Sequence, residues 1–424
     1  MESAAGHIRQ PAVRPSGHSR FSAGSVVGWG DVLPLGGVLA SPLVRFLHTS
    51  DWHLGRHLHG LSLHDAHQAF IDHLVEVARD ERVDAVLIAG DLYDRAVPPP
   101  DAVGLWDQAQ TRLALEAETK VVVIAGNHDS PARLGVSSRL LERAGVHVRV
   151  GTGAVGTPVL FDDGTSKVAC YPIPFLEPTA VVADWGVEDR SHAAALQAAM
   201  GRVRSDLAAR PDHRSVVMAH AFVSGGQGCD TERDISVGGV QHVPGAVFGG
   251  VDYVALGHLH GRQRLADGLR YSGSPLAFSF SEATHIKSSY LVDLGPQGMS
   301  RVQEIPAPVP RRMARITGTV DELLNSPAFS EYEECWLEAT LTDRIRPMSP
   351  HERLKDRFPH LLKLVIPGLT AEFGHRDLTA LDQMSPVEVA LDFVSEVRGR
   401  SADSDEAALL HRTFDELRRL EATR

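Results

Sequence analysis

The chain reads Val121-Val-Val-Ile-Ala-Gly-Asn-His-Asp129 in its first third, an apolar run that ends abruptly in polar residues. The apolar part, Val121–Ala125, predicts a buried strand, and Gly126-Asn-His-Asp129 follows it directly. In an open α/β sheet, binding sites are built where strands end. We therefore expect Asn127, His128 and Asp129 to lie at a functional site rather than inside the core.

Four other predicted strands end in residues of the same kind. Two of these clusters hold residues that are two apart, a spacing that points both side chains to one side of a strand. A single cluster of this type is weak, but five in this order predict one common centre. The four are Asp51-Trp52-His53 after Val44–His48, Gly90-Asp91 after Ala85–Ala89, His220 after Ser215–Ala219, and Gly257-His258-Leu259-His260 after Tyr253–Leu256.

The candidate ligands are carboxylates, an amide and imidazoles, without a thiolate. Such a set suits Mn²⁺, Fe²⁺, Zn²⁺ or Mg²⁺ rather than a structural zinc site. A carboxylate such as Asp91 can bridge two cations, which together activate a water and neutralise a phosphoryl group during in-line attack. His128 adjoins the candidate ligand Asn127, so we expect it to face the phosphate as a general acid or charge stabiliser. A structural hydrogen bond is the alternative role of His128.

Other polar residues near these clusters have two open interpretations. Asp129 either orients a histidine from behind or caps a helix before Pro131. Asp94 is either a first-turn residue or part of the wall of the site. Tyr271-Ser-Gly-Ser-Pro275 indicates a turn at a strand end, because no base adjoins its serines to activate them. The histidines that match no ligand pattern, and that we expect not to bind metal, are His57, His59, His64, His67, His73 and His242.

The whole-chain composition is that of an ordinary globular protein. Its 424 residues, 43% hydrophobic and 23% charged, predict two or three domains. The formal net charge of −12 argues against broad, non-specific nucleic-acid binding, although bound cations or a local basic channel would alter the local field. No apolar stretch approaches the ~18–20 residues of a membrane span, so we expect no membrane association. Three cysteines without disulfide or metal-ligand spacing favour a cytoplasmic location; they are Cys170, Cys229 and Cys335.

The pattern of predicted elements divides the chain into segments. Residues 1–43 are rich in Gly, Pro, Ser and Ala without periodicity, so we expect a disordered leader and hypothesise that the native chain begins near Val44. Residues 44–304 alternate strand and helix patterns, which predicts an α/β domain covered by helices. The remaining segments are a Pro-rich linker at 305–310, a small α+β domain at 311–375, and two C-terminal helices within 385–424.

Individual elements can be placed within these segments. Ser62–Val83 predicts a helix capped by Ser62, with a core stripe that includes Phe70 and Leu74. In the tail, Ser385-Pro-Val-Glu388 starts one helix with a capping box, and a second helix follows; their apolar faces either fold onto the body or dock a partner. The other predicted elements are a helix at Ser191–Ala209, strands of a second sheet at Leu269–Ser272 and Ser289–Val292, small-domain strands at Arg311–Val320, Cys335–Thr342 and Leu361–Ile366, and helices at Pro350–Phe358 and from about Ser404.

Basic residues gather just after the linker and in the small domain. We predict DNA contact for Arg311, Arg312 and Arg315, the three nearest the linker. Such residues are either solvated surface charges or a rim that contacts phosphates. The other members of this group are Arg344, Arg346, Arg353, Lys355 and Arg357.

The clusters resemble the calcineurin-like metallophosphoesterase superfamily and, more narrowly, its SbcD family of nuclease subunits. The resemblance covers roughly residues 44–420, and the leader departs from it. It implies a β-sandwich core flanked by helices, a small capping domain and a C-terminal helical pair. The stretches that carry it are Phe46-Leu-His-Thr-Ser-Asp-Trp-His-Leu-Gly55, Ala89-Gly-Asp-Leu-Tyr-Asp94, Gly126-Asn-His-Asp129, Tyr253-Val-Ala-Leu-Gly-His-Leu-His260 and Tyr271-Ser-Gly-Ser-Pro275, with Arg357-Phe-Pro359 in the small domain.

This resemblance also implies a role for each candidate residue. His128 would be the catalytic histidine. Asp91 would bridge two Mn²⁺ ions, with Mg²⁺ or another divalent cation as the alternative. The first ion would also be held by Asp51, His53 and His260, and the second by Asn127, His220 and His258.

The implied activity is ATP-linked processing of DNA in repair, recombination and replication. It comprises 3′–5′ exonuclease action on duplex ends and endonuclease action on hairpins and single strands. The capping domain would narrow the access of DNA, and the terminal helices would bind the coiled-coil base of an SbcC-type ATPase. The nuclease core would form a homodimer within a heterotetramer. Two other functions compete: a phosphomonoesterase or cyclic-nucleotide phosphodiesterase on the same core, and a non-catalytic scaffold.

Overall fold

The computed structural model of the chain describes residues 43–232, 242–345, 347–367, 385–398 and 400–422. The predicted leader, except its last residue, therefore lies outside the described residues, as do Arg346 and the predicted end of the small domain at 368–375. Among the helices that the structure describes, none is long and apolar enough to cross a membrane.

Up to residue 220, strands and helices alternate as the sequence predicts for an α/β protein, whereas the described residues from 213 to 318 contain strands without an α-helix between them. In chain order, the helices are α1 His64–Asp80, α2 Pro100–Leu115, α3 Pro131–Leu134, α4 Ser138–Leu141, α5 Pro178–Trp185, α6 His192–Ala208, α7 Val320–Asn325, α8 Pro350–Arg357, α9 Pro386–Arg398 and α10 Ser404–Ala422. The strands are β1 Val44–Thr49, β2 His57–Leu58, β3 Leu61–Ser62, β4 Ala85–Ala89, β5 Lys120–Ile124, β6 Val146–Arg149, β7 Val159–Asp162, β8 Lys167–Ile173, β9 His213–His220, β10 Tyr253–Gly257, β11 Gln263–Ala266, β12 Leu269–Tyr271, β13 Ser288–Gly295, β14 Gly298–Pro306, β15 Met313–Gly318, β16 Trp336–Leu341 and β17 Leu361–Val365.

Two six-stranded sheets form a β-sandwich. One has the order β14-β13-β1-β4-β5-β6 and the other the order β11-β12-β10-β9-β8-β7. Strands β1, β4, β5 and β6 run parallel, and so do β8, β9, β10 and β12. Phe46 and Leu87 of the first sheet pack with Val216 and Ala255 of the second in one buried cluster. Each fully buried side chain of this kind contributes about 1.5–3 kcal/mol, so the sheets are held face to face by their alternating inward residues.

Helices cover both outer faces of the sandwich. On the first sheet, Phe70 and Leu74 of α1 pack with the strand residues Val86 and Val123 in a second buried cluster. On the other sheet, α5 and α6 supply apolar residues such as Met200 to a third cluster. The predicted α/β fold with a β-sandwich core flanked by helices is therefore confirmed.

Two element predictions are corrected by long-range pairing. Ser289–Val292 lies in β13, which belongs to the first sheet beside β1, with Val44 opposite Leu294, and not to the second sheet. The predicted helix at Ser62–Val83 begins at His64 and ends at Asp80, because Ser62 pairs with His57 in a short hairpin. The Ser62 hydroxyl still accepts a hydrogen bond from the His64 N–H at 3.3 Å, although Leu63 is the N-cap residue.

The small domain is a three-stranded parallel sheet in the order β15-β16-β17 with α7 and α8. Its own core includes Leu323, Leu337 and Phe358. The linker lies two residues later than predicted, at 307–312, since Ile305 and Pro306 are the last residues of β14 and β15 begins at Met313. Helix α7 was not predicted; Thr319 and Glu322 form a capping box at its start.

The two tail helices begin where the sequence predicts. The Ser385 N–H donates to Glu388 Oε2 at 2.7 Å, and the Glu388 N–H donates to Ser385 Oγ at 3.4 Å, so the predicted capping box is present. Phe393 on α9 and Leu409 on α10 are 63% and 59% exposed. Part of the apolar surface of this helical pair therefore faces solvent.

Candidate metal centre

The five strand-end clusters meet at one edge of the sandwich. Parallel strands β1, β4 and β5 of one sheet, and β9 and β10 of the other, all end at this edge. The structure thus brings all eight predicted site residues together. Asn127 is partly exposed, and the other seven are buried: Asp51, His53, Asp91, His128, His220, His258 and His260.

The first group of ligand atoms surrounds His53. His53 Nε2 lies 3.1 Å from His260 Nε2 and 3.7 Å from Asp91 Oδ2. Ligand atoms of Asp51, His53 and His260 all lie within 4.8 Å of one another. This group contains the residues that the resemblance assigns to the first metal ion.

The second group of ligand atoms surrounds Asn127. Its side-chain oxygen lies 2.9 Å from His220 Nε2 and 3.2 Å from His258 Nδ1. His220 Nε2 is also 3.4 Å from Asp91 Oδ2, the same oxygen that faces His53. Asp91 Oδ2 is therefore placed between the two groups, as a bridging carboxylate must be.

The chemistry of these atoms fits cations. His220 Nδ1 is 2.9 Å from the Ala89 carbonyl, which can only accept, so this nitrogen carries the proton of the neutral ring. The lone pair on His220 Nε2 then points at two other acceptors, Asn127 Oδ1 and Asp91 Oδ2. Acceptors that converge in this way repel unless a cation or a proton lies among them. Oxygen and imidazole ligands of this kind suit Mn²⁺, Mg²⁺, Fe²⁺ or Zn²⁺.

The electrostatics of the metal-free chain give the same indication. Burial lowers the pKa of His220, but the carboxylate of Asp91 outweighs burial and raises this pKa to about 9. Burial raises the pKa of Asp51 to about 6, although His220 and His260 oppose the rise. Without cations, protons are therefore the available counter-charges at this centre.

The backbone of the site is strained at the ligands themselves. Asp51, His53, Asp91 and His258 have positive φ angles of 54°, 46°, 48° and 106°. Residues with a Cβ rarely adopt this left-handed region, and each instance costs on the order of 1–3 kcal/mol. The surrounding packing holds these four residues in strained conformations. Strained backbone of this kind clusters at functional sites.

Two glycines allow the elements to approach closely. A Cβ on Gly257 would lie 1.9 Å from the Ala89 carbonyl oxygen, and one on Gly126 would lie 2.1 Å from Asp91 Oδ1. Neither neighbour can move without displacing the end of β4 or a ligand. The glycines that precede the site residues are therefore required by contact between strand ends.

Backbone amides hold the two carboxylates in place. The His258 N–H donates to Asp51 Oδ1 at 2.9 Å, and the His128 N–H donates to Asp91 Oδ1 at 2.8 Å. Each bond fixes one oxygen of its carboxylate. For Asp91, the second oxygen is left facing the imidazoles.

His128 is oriented by the neighbouring loop. Its Nδ1 donates to the Asp94 carbonyl at 2.8 Å, and its Nε2 lies 4.0 Å from Asp91 Oδ2. The ring stands edge-on to His53 with centroids 4.7 Å apart. Both predicted alternatives thus hold in geometry: His128 makes a structural hydrogen bond through one nitrogen and presents the other to the centre. Its catalytic role stays a prediction.

Asp94 and Asp129 have roles that the sequence left open. Asp94 belongs to the site wall: its Oδ1 lies 3.6 Å from His53 Nδ1 and accepts from Arg56 at 2.7 Å. Asp129 does neither of the two things predicted for it, since Ser130 is the N-cap residue of α3. Its carboxylate instead accepts backbone N–H bonds of 2.9–3.1 Å that join the loops after β4 and β5; the donors are Gly126, Leu92 and Tyr93.

Several residues around the centre were not predicted. Phe278 lies 5.2 Å from the His53 ring and 5.4 Å from the His260 ring, between centroids, and closes one wall. Thr231 and Glu282 lie behind His260. The resemblance block Tyr271–Pro275 was the one sequence signal nearby: Ser50 Oγ lies 2.9 Å from Ser272 Oγ, so this turn packs against the first cluster. Of the histidines predicted not to bind metal, His67 bonds the Trp52 carbonyl at 2.8 Å.

The three arginines predicted to contact DNA lie at the start of the small domain, just before and within β15. Arg311 Nη1 is 3.1 Å from a Glu334 oxygen. The corresponding pairs are Arg312 with Glu331 at 3.3 Å and Arg315 with Glu338 at 2.9 Å. Their role in DNA binding stays a prediction.

The described geometry agrees with known families. Residues 44–262 match the calcineurin-like phosphoesterase family. Residues 309–398 match the SbcD_C family, described as the type 5 capsule protein repressor C-terminal domain. These two matches support the resemblance to SbcD that the motifs carry.

Solved structures of other proteins are similar over part of the chain. TT1561 of Thermus thermophilus is 14% identical, with a TM-score of 0.36 over 62% of this chain and 99% of that one. A dimetal phosphatase from Danio rerio is 13% identical, with a TM-score of 0.35 over 63% of this chain and 100% of that one. The family is assigned by the first domain match, which spans more than half of the 424 residues and includes all five strand-end clusters. On this ground, the chain belongs to the calcineurin-like phosphoesterase family.

Proposed function

We propose that this metal-dependent phosphoesterase is a Mn²⁺-dependent DNA nuclease subunit of the SbcD type. Its substrates would be DNA ends, cut as a 3′–5′ exonuclease, and hairpins or single strands, cut as an endonuclease. The proposal is carried by two features that occur together in this protein. One is a centre in which both groups of ligand atoms face Asp91 Oδ2, and the other is a C-terminal domain of the SbcD_C family. A small-substrate phosphoesterase would not need the second of these domains.

The chain's own residues provide the places for two divalent cations. Asp51, His53 and His260 would hold one, Asn127, His220 and His258 the other, and Asp91 would bridge them. When bound, the cations supply an activated water and neutralise charge on the phosphoryl group. The protein keeps these ligands in a buried, fixed array, so little reorganisation is needed during attack.

His128 is suited to act on the leaving oxygen. Because its Nδ1 is engaged by the Asp94 carbonyl, Nε2 is the atom that can hold a proton toward the substrate. In its protonated form it would donate this proton to the leaving oxygen or stabilise the charge that develops there. General acid catalysis of this kind contributes typically 10²–10⁴-fold.

The small domain would act as a cap that guides DNA toward the centre. Its basic residues would supply individual phosphate contacts despite the net charge of −12. The glutamates beside Arg311, Arg312 and Arg315 reduce that charge, so phosphate contact would require these pairs to open or to be shared. DNA binding that weakens as salt rises would support this role.

The partner of the tail would be a coiled-coil ATPase of the SbcC type. The exposed Phe393 and Leu409 on the helical pair provide apolar contact area for partner helices. Such an assembly belongs in the cytoplasm, where DNA and ATP are present. Co-purification of the chain with the purified ATPase measures this contact, and a failure to co-purify would contradict it.

The nuclease core would form a homodimer through the loop between β4 and α2 and the segment around α4. Val97, Val136 and Leu140 are 65%, 64% and 73% exposed, and Arg133 joins their segments by a bond to the Ala96 carbonyl at 3.3 Å. Exposed apolar residues that lie near one another mark interaction sites. Sedimentation equilibrium of the purified chain measures this association, and a monomer at micromolar concentration would contradict it.

The direct test of the proposed function is digestion of end-labelled linear and hairpin DNA in Mn²⁺. Asp91→Ala and His128→Ala are the variants, because one removes the bridging carboxylate and the other the candidate acid. Cleavage by the wild type that is lost in both variants is the expected result. Intact DNA, even with the ATPase and ATP present, together with hydrolysis of a chromogenic phosphodiester, would favour a small-substrate phosphoesterase instead.

A further inference from the structure

A buried chain of hydrogen bonds lies behind one histidine of the centre. His260 Nδ1 is 2.7 Å from Thr231 Oγ1, which is 2.6 Å from Glu282 Oε1. The other oxygen of Glu282 accepts from Lys287 Nζ at 2.5 Å. Glu282 is fully buried and Lys287 is 6% exposed, so the lysine–glutamate pair is part of the interior. Residues far apart in sequence thus form one line that ends on His260.

The direction of each bond in this chain follows from the groups present. Lys287 Nζ lies 2.5 Å from Glu282 Oε2 and forms a buried ion pair with it, so Glu282 is the ionised partner of the lysine. An ionised carboxylate only accepts, so the single hydroxyl proton of Thr231 is donated to Glu282. The Thr231 oxygen then accepts the proton on His260 Nδ1. The free lone pair of His260 is left on Nε2, the atom that faces His53 Nε2 at 3.1 Å.

The backbone of His260 is fixed by the same group of residues. Its N–H donates to Glu232 Oε1 at 2.8 Å, and its carbonyl accepts from Lys287 Nζ at 2.9 Å. Lys287 also donates to Ser274 Oγ at 2.9 Å, which anchors the turn that follows β12. Ring, amide and carbonyl of His260 therefore all have partners that resist rotation.

The two groups of ligands are supported differently. In the second group, His220 is held by a single backbone carbonyl, that of Ala89. In the first group, each histidine has a carboxylate with its own cation near its Nδ1: Glu282 with Lys287 is joined to His260 through Thr231, and Asp94 with Arg56 lies 3.6 Å from His53, beyond hydrogen-bond distance. Carboxylates behind a ligating histidine fix its tautomer and make it a stronger ligand.

We propose that Thr231, Glu282 and Lys287 are positioning residues that hold His260 in its metal-binding orientation and so set the affinity of the cation position that His53 and His260 share. This inference rests on the two-metal phosphoesterase centre of the proposed function, but not on DNA as its substrate. The hydroxyl of Thr231 is the one link that can be removed with almost no change in volume. Substitution at Thr231 therefore breaks the line of hydrogen bonds to His260 and leaves the buried pair of Glu282 and Lys287 in place.

The test is calorimetric titration of Mn²⁺ into the full chain after removal of metal by a chelator. Thr231→Val removes the hydroxyl, Thr231→Ser keeps it, and Thr119→Val is a matched control. Thr119 is a buried threonine whose hydroxyl donates to the Val83 carbonyl at 3.0 Å, remote from the centre. In Thr231→Val, we expect one of two Mn²⁺ sites to weaken by about 10- to 100-fold. Thr231→Ser and Thr119→Val should bind both ions as the wild type does.

Two outcomes would overturn the inference: Thr231→Val that binds both ions like the wild type, or Thr231→Ser that is as weak as Thr231→Val. The second result would mean that either change at this position disturbs the site, so the loss in Thr231→Val could not be assigned to the hydroxyl bond. Hydrolysis of bis(p-nitrophenyl) phosphate, measured beside the titration, should recover in Thr231→Val as Mn²⁺ is raised. Wild-type protein that binds two ions but leaves DNA intact would contradict the proposed nuclease while leaving this inference standing.

Discussion

The metal centre and the basic surface of the small domain place charged residues in opposite ways. At the centre, Asp51 and Asp91 are buried; His220 Nε2 faces an Asp91 oxygen at 3.4 Å, and His220 Nδ1 lies 4.0 Å from an Asp51 oxygen. On the small domain, Arg311, Arg312 and Arg315 are 29–58% exposed along their side chains, and a glutamate accompanies each one. The first arrangement is incomplete without cations, whereas the second is electrically balanced as it stands.

The difference arises from how the sheets are arranged. In the large domain, strands of two parallel-rich sheets end at the same edge, so residues from five strands converge. The described part of the small domain holds one three-stranded sheet, and basic side chains such as Arg353 of α8 and Lys363 of β17 are 43–44% exposed. Convergence of strand ends, rather than the number of charges, therefore distinguishes the metal centre from the basic surface of the small domain.

The sharpest test of this comparison is the substitution Asp91→Asn, which keeps the shape and removes the bridging charge. We expect hydrolysis of a chromogenic phosphodiester in Mn²⁺ to fall by about 10³-fold or more, because metal-centred charge stabilisation is worth several kcal/mol. Asp107→Asn, an exposed carboxylate on α2, is the matched control and should keep full activity. Equal activity of the two variants would remove Asp91 from the centre.

A second prediction concerns the contact between the strand ends. Gly257→Ala would place a methyl group 1.9 Å from the Ala89 carbonyl oxygen, so β4 and β10 must separate. We expect a loss of about 1–3 kcal/mol in the free energy of unfolding, together with weaker Mn²⁺ binding. Gly104→Ala, in the open on α2, should instead stabilise by about 0.5–1 kcal/mol. Chemical unfolding curves of both variants provide the measurement, and similar curves would contradict the close approach.

The large domain should also respond to acid through its buried histidines. Burial of His48 lowers its pKa to about 3, so the folded chain keeps this ring neutral. Because the ordinary pKa is 6.5, the unfolded chain takes up a proton that the folded chain does not, and stability falls as pH drops below about 6.5. At pH 5.5, this one residue lowers the free energy of unfolding by about 1 kcal/mol.

The variant His48→Gln makes that response measurable. Its free energy of unfolding should decrease less between pH 8 and pH 5.5 than that of the metal-free wild type, by about 1 kcal/mol. Urea unfolding at the two pH values gives the comparison, and the values at pH 8 supply the cost of the substitution itself. Parallel losses in the two proteins would show that His48 takes no part in the acid response.

The smallest effect is expected on the small domain. The double variant Arg311→Ala/Arg312→Ala should leave hydrolysis of a chromogenic phosphodiester unchanged and weaken DNA binding a few-fold. If both residues contact phosphates, the slope of log affinity against log salt should become less steep by about 0.9 for each lost contact. Arg79→Ala, at the end of α1, is the control and should not change this slope. An unchanged slope in the double variant would make these arginines solvated surface charges.

Local patterns predicted most elements and the candidate ligands that the structure brings together. The apolar runs of β1, β4, β5, β9 and β10 were placed within two residues of their bounds, because burial of a strand leaves a continuous apolar signature. The capping box at Ser385 and Glu388 was also recognisable from four residues. An apolar run does not indicate which strand it pairs with, so Ser289–Val292 was assigned to the wrong sheet. Ser62 failed as a cap for a similar reason, since it pairs with His57 in a hairpin.

The sequence by itself determined which residues are available as ligands and that they follow buried strands. Only the tertiary structure decided that Asp91 Oδ2 is shared, that four ligands have left-handed backbones, and that Asp129 joins two loops. It also brought Thr231, Glu282 and Lys287 behind His260. The physical reason is range: strand and helix signals depend on neighbours in the chain, whereas these contacts depend on how two sheets and their loops pack.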